Sequence, residues 1–430
     1  MSAAPGKRPP GAYGPPLLGA LFGTLEFFLF GWEGYFARRR RRHGTTIFRV
    51  NLFQPTIAVL DHEGIAPLFG DPDLIQDYGF SWAKPPLELV GGVVPSVFEH
   101  GPAHDEPKAF IQALLRERSP DLAATFADVA GRFFDRWTAE DAFGWADELE
   151  DLALTLVFEW ILGTRPDVPA VRELYNHIFL HWSPRLERLW PGSVYARSVK
   201  TYAALIETIR TAPRYGQVAQ LAERFGIDEA ALPHRLAFLL GMNSFLGLQS
   251  TLKSIVGELS RNPDLCEAIR VRSEREPELI DRFVWETLRL HPPVFFIFGR
   301  AVRARELNTA SGLFSIRAGE LVMGVIPFAQ RDPKRFADPD RFDPSRYDDP
   351  ERQDGLIWSR GVQDAPVQPA DRTCPGKDPA LLIARLFCAR LARDYRWRLR
   401  QPPRWSRRAY GLNVAAPVGT LQVGEFEATG

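Results

Sequence analysis

The stretch Asp371-Arg372-Thr373-Cys374-Pro375-Gly376-Lys377-Asp378 sets a lone cysteine in a basic, turn-forming loop just ahead of an apolar helical pattern. A thiol there faces the positive end of the coming helix's dipole, and Arg372 and Lys377 add charge. Its pKa is therefore expected to fall, favouring a thiolate able to act as nucleophile or metal ligand. The competing reading is a buried, inert cysteine, and no histidine and asparagine partners of a cysteine hydrolase stand out. Upstream, Glu286 and Arg289 in VWETLRLHPP lie three apart on a helix and can pair, and Arg346 of FDPSRY can join them. His177 and His181 have the spacing of a two-histidine metal site but lack the glutamate-containing motif, so surface or core histidines are expected.

These residues need positioning elements. The helix after Cys374 is marked by Leu382, Leu386 and by Ile383, Phe387, Leu391 at helical spacing, with Pro379 in its first turn. Residues 233–262, bounded by Pro233 and Pro263, read as one long buried helix with Leu236, Leu240, Asn243, Gly247 and Ser250 on one stripe. Its two central glycines weaken it by about 1 kcal/mol each relative to alanine, which suits either tight packing or close approach of a ligand. Thr46 to Leu52 and Thr56 to Asp61 read as a hairpin, residues 104–290 as mostly helical, and FSIRAG and ELVMGVI as strands. This order predicts a mainly α fold with a small β lobe rather than alternating βαβ units. Residues 1–430 are expected to form a single domain, with 1–20 a Pro/Gly-rich N-terminal arm.

The 53 basic and 53 acidic side chains cancel, so no global field recruits nucleic acid. Cys266, Cys374 and Cys388 are too few and too scattered for a disulfide framework and are expected to be free thiols. No apolar run is long enough to span a membrane. Arg38 to Arg42 read as a solvated helix face, with a membrane-surface patch as the sharper alternative. The start has no signal- or transit-like segment, so a cytoplasmic location is expected.

Taken together, the Glu-x-x-Arg helix, the Phe-x-Pro-x-Arg-aromatic run at Phe342 to Tyr347 and the Cys-x-Gly loop resemble the haem-thiolate core of the cytochrome P450 superfamily. PPGAYGPPLLG, PPLELVGG, NSFLG, PPVFFIFGRA, GELVMGVIPFAQRDPKRF and CPGKDPALLIARLF resemble its hydroperoxide-metabolising branch of allene oxide synthases, hydroperoxide lyases and epoxyalcohol synthases. The usual Phe and Gly of the cysteine loop are replaced by Val367 and Ala370, and the loop is long, as in that branch.

The resemblance implies a cytochrome P450 fold and a haem b (iron protoporphyrin IX) whose iron is ligated axially by Cys374. It also implies a structural triad of Glu286, Arg289 and Arg346, with His104, Lys108, Arg372 and Arg300 against the haem propionates. Asn243 would stand over the iron as the catalytic amide. Gln249 lies where a monooxygenase carries its proton-relaying acid, so activation of O2 is disfavoured. Phe80, or Gly79 with a different gap, falls where an aromatic residue is associated with dehydration, while Val90 and Leu246 replace a threonine and a glycine of the branch. The expected activity is conversion of fatty-acid hydroperoxides, by dehydration to an allene oxide. The alternatives are lyase or epoxyalcohol chemistry, an O2-dependent monooxygenase with a redox partner, or a haem sensor. No redox partner, a monomer and room for peripheral membrane contact complete the expectation.

Overall fold

The computed structural model describes residues 6–52, 54–71, 73–77, 91–140, 142–180, 189–348, 356, 367–405 and 417–429, excepting the side chains of 16, 17, 178–180, 242 and 243. Helix α1 (Pro16–His43) begins inside the expected N-terminal arm and is interrupted at Gly31, whose φ of 69° and ψ of 170° no helix interior adopts. Strands β1 (Ile47–Leu52) and β2 (Gln54–Val59) form the expected hairpin, with Ile47 opposite Val59. β3 (Leu74–Gln76) follows. The helical region then runs through α2 (Pro102–Ala139), α3 (Trp145–Leu162), α4 (Val168–Leu180), α5 (Val194–Arg210) and α6 (Tyr215–Glu223).

The expected single helix over 233–262 is a composite of three pieces. α7 (Leu232–Phe238) passes into a π-helical segment (Leu239–Phe245) and then into α8 (Leu246–Arg261). The α-periodic stripe from Leu236 to Ser250 is therefore not carried through unbroken, because the wider turn shifts the angular register. Every residue from Leu248 to Leu259 is buried, as an all-round covered central helix requires.

α9 (Pro263–Arg272) and α10 (Glu278–Leu290) lead back to the sheet. There β4 (Phe296–Ala301), β5 (Arg305–Thr309), β6 (Gly312–Ile316) and β7 (Leu321–Val325) form. The five-stranded sheet has the order β1-β2-β7-β4-β3, in which β7 pairs parallel with β2 and antiparallel with β4. β7 is apolar along its whole length because both sheet faces are covered. Phe27, Trp32, Tyr35 and Phe36 of α1 pack with Phe296 and Phe298 on one face, while Leu68, Val322 and Ile326 pack on the other. The large helical core is separate and includes α2, α3, α8 and α11 (Lys377–Asp394), the helix expected after Cys374. Strands β8 (Tyr395–Leu399), β9 (Arg404–Trp405), β10 (Pro417–Val418) and β11 (Val423–Ala428) close the chain as two small pairs. The fold is thus mainly α with a small β lobe, as the order of patterns predicted.

Candidate functional site

Glu286 and Arg289 form the most fully enclosed polar cluster of the site, with neither side chain exposed to solvent. Arg289 Nε donates to Glu286 Oε2 at 2.7 Å and Nη2 to Oε1 at 2.8 Å, a bidentate pair. Arg346 Nε reaches Oε1 at 3.3 Å and the Asp343 backbone N–H reaches it at 2.8 Å. The remaining donors of Arg289 go to the carbonyls of Gln330, Pro339 and Arg341. The three residues singled out in the sequence therefore meet, and through Arg289 they tie α10 to the segments that follow β7.

The cysteine loop is fixed from several sides. Arg372 N–H donates to the Phe69 carbonyl at 3.0 Å, and Gln112 Nε2 of α2 donates to the Val367 carbonyl at 2.8 Å. Lys108 Nζ donates to both the carbonyl and the Oδ1 of Asp371, at 2.5 and 2.6 Å, and Thr373 N–H also reaches that Oδ1. Burial alone would push the Asp371 carboxyl up, but Lys108 with the N–H groups of Gln368 and Thr373 holds it below its ordinary value. Burial of Lys108 lowers its own pKa despite that partner.

Cys374 is partly accessible just ahead of α11, with the Gly376 N–H directed at its sulfur. The expected fall in its thiol pKa is reversed. Burial raises it, with the charge of Asp378 adding to the rise, and together these outweigh the Gly376 N–H and Lys108. A thiolate at this position requires a compensating cation, such as a bound metal.

His104, Lys108 and Arg372 act electrostatically on one another, and Lys108 acts on Cys374, so these four are brought together. Burial lowers the His104 imidazole's pKa, although Nδ1 lies 2.7 Å from Asp105. Arg372 donates to the carbonyls of Val97 and Glu99 at 3.2 and 2.7 Å, and burial lowers its pKa with only Asp105 opposing. Among the described residues no carboxylate pairs with Arg372, so this guanidinium suits an anionic group brought by a ligand. Arg300 is on β4, where Asp77 binds it at 2.6 Å and the Gly319 carbonyl at 2.9 Å.

On α8, Gln249 is 4% exposed and its Oε1 has no hydrogen-bond partner among the described residues. The two glycines of this composite helix prove to do different things. A Cβ on Gly241 would run into the Tyr175 ring, whereas one on Gly247 meets nothing within 4 Å among the described residues. Thr251 Oγ1 donates to the Gly247 carbonyl at 2.9 Å. Asn243 lies in the π-helical segment, and its side chain is outside the described residues, as are Phe80, Gly79 and Val90. Leu246 is half-buried against the helical core.

The donor set fits a haem: a single soft thiol, a guanidinium that no described carboxylate pairs with, and two further basic side chains beside it. Elsewhere, His177 Nδ1 meets Ser198 Oγ at 3.0 Å, and among the described residues no group of three or more His, Cys, Asp or Glu is arranged to hold a metal ion. His181 lies outside the described residues. Sequence reasoning missed Asp371 as the partner of Lys108. It adjoins Arg372 in the cysteine loop, but no local spacing relates it to α2.

Residues 249–414 match the family model described as cytochrome P450. The chain is 27% identical to a chloroplastic fatty acid hydroperoxide lyase of Solanum lycopersicum, over 91% of this chain and 94% of that one. It is 28% identical to chloroplastic allene oxide synthase 1 of Oryza sativa subsp. japonica, over 91% and 86%. The structure of ligand-free cytochrome P450 OleT superposes with a TM-score of 0.75 over 95% of this chain and 97% of that one, at 16% identity, and shows the likeness of fold. The expectation of a cytoplasmic protein is overturned, since these relatives are named chloroplastic.

Proposed function

The chain belongs to the cytochrome P450 superfamily, in its hydroperoxide-metabolising branch, and from that premise we propose that it dehydrates fatty-acid hydroperoxides to allene oxides. Its cofactor is haem, and its substrates are hydroperoxides. In the dehydration the O–O bond breaks, one new C–O bond closes the epoxide, and a C–H proton leaves with the hydroxyl as water. No external electrons are needed.

The observation that carries the reading is the absence of an acid where a monooxygenase needs one. By the resemblance Gln249 would occupy that place on α8, and the one carboxylate of α8, Glu258, is bound by His291 Nε2 at 2.7 Å and Asn262 Nδ2 at 2.9 Å near the helix end. An amide cannot hand protons to dioxygen. A substrate that already contains the O–O bond removes that requirement.

Haem, when bound, supplies a thiolate-ligated iron that opens the O–O bond. Cys374 would hold that iron through its sulfur, and Arg372, His104 and Lys108 would hold the propionates, with Arg300 a further candidate on β4. Asn243, from the π-helical segment, would present its amide to the peroxide oxygen. Gln249 would face the pocket with its free Oε1. Glu286, Arg289 and Arg346 would hold α10 and the cysteine loop in register. Product analysis by mass spectrometry tests the outcome: ketols from hydrolysed allene oxide are expected. Short-chain aldehydes or epoxyalcohols as the main products would refute dehydration.

A lipid surface is the partner we infer for α1. Leu18, Leu21, Phe22, Leu25 and Leu29 lie along one side of it and are between 51% and 63% exposed. Arg40, Arg41 and Arg42 are exposed at its C-terminal end, while Arg39 is bound to Glu26 at 2.6 Å. An exposed apolar stripe, with cations at the far end of α1 beyond the break at Gly31, suits peripheral contact with anionic lipid, and no described helix is long and apolar enough to cross a membrane. Co-sedimentation with anionic vesicles should be lost on Phe22→Glu. Retained binding, or a dimer dissociated by the same change, would refute it.

A further inference from the structure

One guanidinium of the described chain is half-buried in a largely apolar cleft without a partner. Arg235, on α7, has its Nε shielded from solvent and without a hydrogen bond. Burial lowers its pKa, and the charges of Glu99 and Asp228 reach it only through space. No carboxylate among the described residues lies within ion-pairing distance of it. An uncompensated cation in such a place is costly, and that cost is offset when an anion binds.

The cleft is open to solvent, and its free space, that open part included, comes to about 450 Å³. Its apolar walls include Val93 and Pro95 of the loop before α2, Phe110 and Ile111 of α2, and Phe238 and Leu239 of the composite helix. His234 lines it too. Its Nδ1 meets the Tyr202 hydroxyl at 2.8 Å, and burial, with Arg210 nearby, lowers its pKa. Among the described residues the cleft therefore offers one positive charge beside apolar walls, which matches a monocarboxylate with an alkyl chain rather than a phosphate.

Its place in the fold connects it to the proposed chemistry. Pro107 lines the cleft and its neighbour Lys108 holds Asp371 of the cysteine loop. The carbonyl of Glu99 accepts from Arg372, and the charge of the same residue reaches Arg235. Asn243 follows Arg235 by eight residues on the same composite helix.

We propose that Arg235 receives the carboxylate of the fatty-acid hydroperoxide, whose chain runs over Phe238 and Leu239 toward the position of Asn243. This assignment rests on the substrate class proposed above. Arg235 is a specificity-determining residue in it, distant from the reacting oxygens.

The test compares the ferric holoenzyme with its Arg235→Gln and Arg235→Lys variants on linoleate hydroperoxide and on its methyl ester. The acid-to-ester ratio in kcat/KM should fall by about 10- to 100-fold in Arg235→Gln, mostly through KM, and be partly restored in Arg235→Lys. An unchanged ratio would overturn the assignment. Calorimetric titration with linoleate, which has no peroxide, separates this from the parent reading. Wild type should bind linoleate at least about 10-fold more tightly than Arg235→Gln even if no hydroperoxide is turned over. Equal binding would overturn the anchor whatever the enzyme's reaction. Should Arg235→Gln fail to fold, Arg235→Lys alone decides: a reduced acid-to-ester ratio supports the anchor and a wild-type ratio refutes it.

Discussion

Replacing Glu286 by alanine isolates the fully enclosed ion pair of α10. Arg289 would remain in place with no exposure to solvent, having lost its two charge-assisted hydrogen bonds of 2.7 and 2.8 Å, and Asp343 N–H and Arg346 Nε would lose their acceptor. The carbonyls of Gln330, Pro339 and Arg341 still accept from the guanidinium, but carbonyl dipoles do not neutralise its charge. Removing one partner of a buried pair costs ~3–5 kcal/mol. Against a total stability of ~5–15 kcal/mol, that is a large share. The folded-to-unfolded ratio should drop by about two to four powers of ten. Denaturant unfolding followed by circular dichroism, with haem content measured in parallel, reads the change directly. Glu286→Gln, which keeps an acceptor for Asp343 N–H but loses the charge, should fall between wild type and Glu286→Ala. A loss below about 1 kcal/mol for the alanine variant, with full haem content, would refute the reasoning that this buried pair holds the site's scaffold together.

Three further outcomes follow from the geometry. Gly241→Ala should destabilise, because its Cβ would enter the Tyr175 ring, while Gly247→Ala should raise thermal stability, by up to about 1 kcal/mol, and slow turnover by filling the open space; the reverse pattern would contradict the roles given to the two glycines. Burial lowers the pKa of His291 despite its bond to Glu258 and its stacking on Trp405. The unfolded imidazole titrates first, near the ordinary 6.5, so this stabilising contribution is complete above that pH and is lost as pH falls toward the folded value. His291→Gln should flatten the dependence of unfolding free energy on pH between roughly 7 and 5, and an unchanged slope would contradict it. Arg372→Gln should speed transfer of haem to apomyoglobin by about 10-fold, and an unaltered rate would remove its propionate role.

The parts of the site that were legible in the sequence are those carried by local spacing. Glu286 and Arg289 are one helical turn apart, Arg346 follows in a recognisable run, and Cys374 adjoins an apolar helix that forms at Lys377–Asp394 as its pattern required. The π-helical segment around Asn243 was not legible, since an i→i+5 turn leaves no mark in a hydrophobic pattern read at period 3.6. The Cys374 thiol shift was missed for a related reason: local charges suggested a fall, but desolvation, which depends on distant segments, dominates. Lys108 with Asp371 and Arg235 with its empty surroundings are likewise products of long-range packing. A lone arginine in PHRLAF gives no sign that no carboxylate among the described residues will pair with it.

The most direct test of the central claim is anaerobic mixing of the purified ferric holoenzyme with linoleate hydroperoxide, without any reductant, while the conjugated-diene absorbance is followed. The absence of an acid at Gln249 predicts rapid bleaching through many turnovers. No change without a reductase, together with hydroxylation of a fatty acid once O2 and a reductase are supplied, would contradict it.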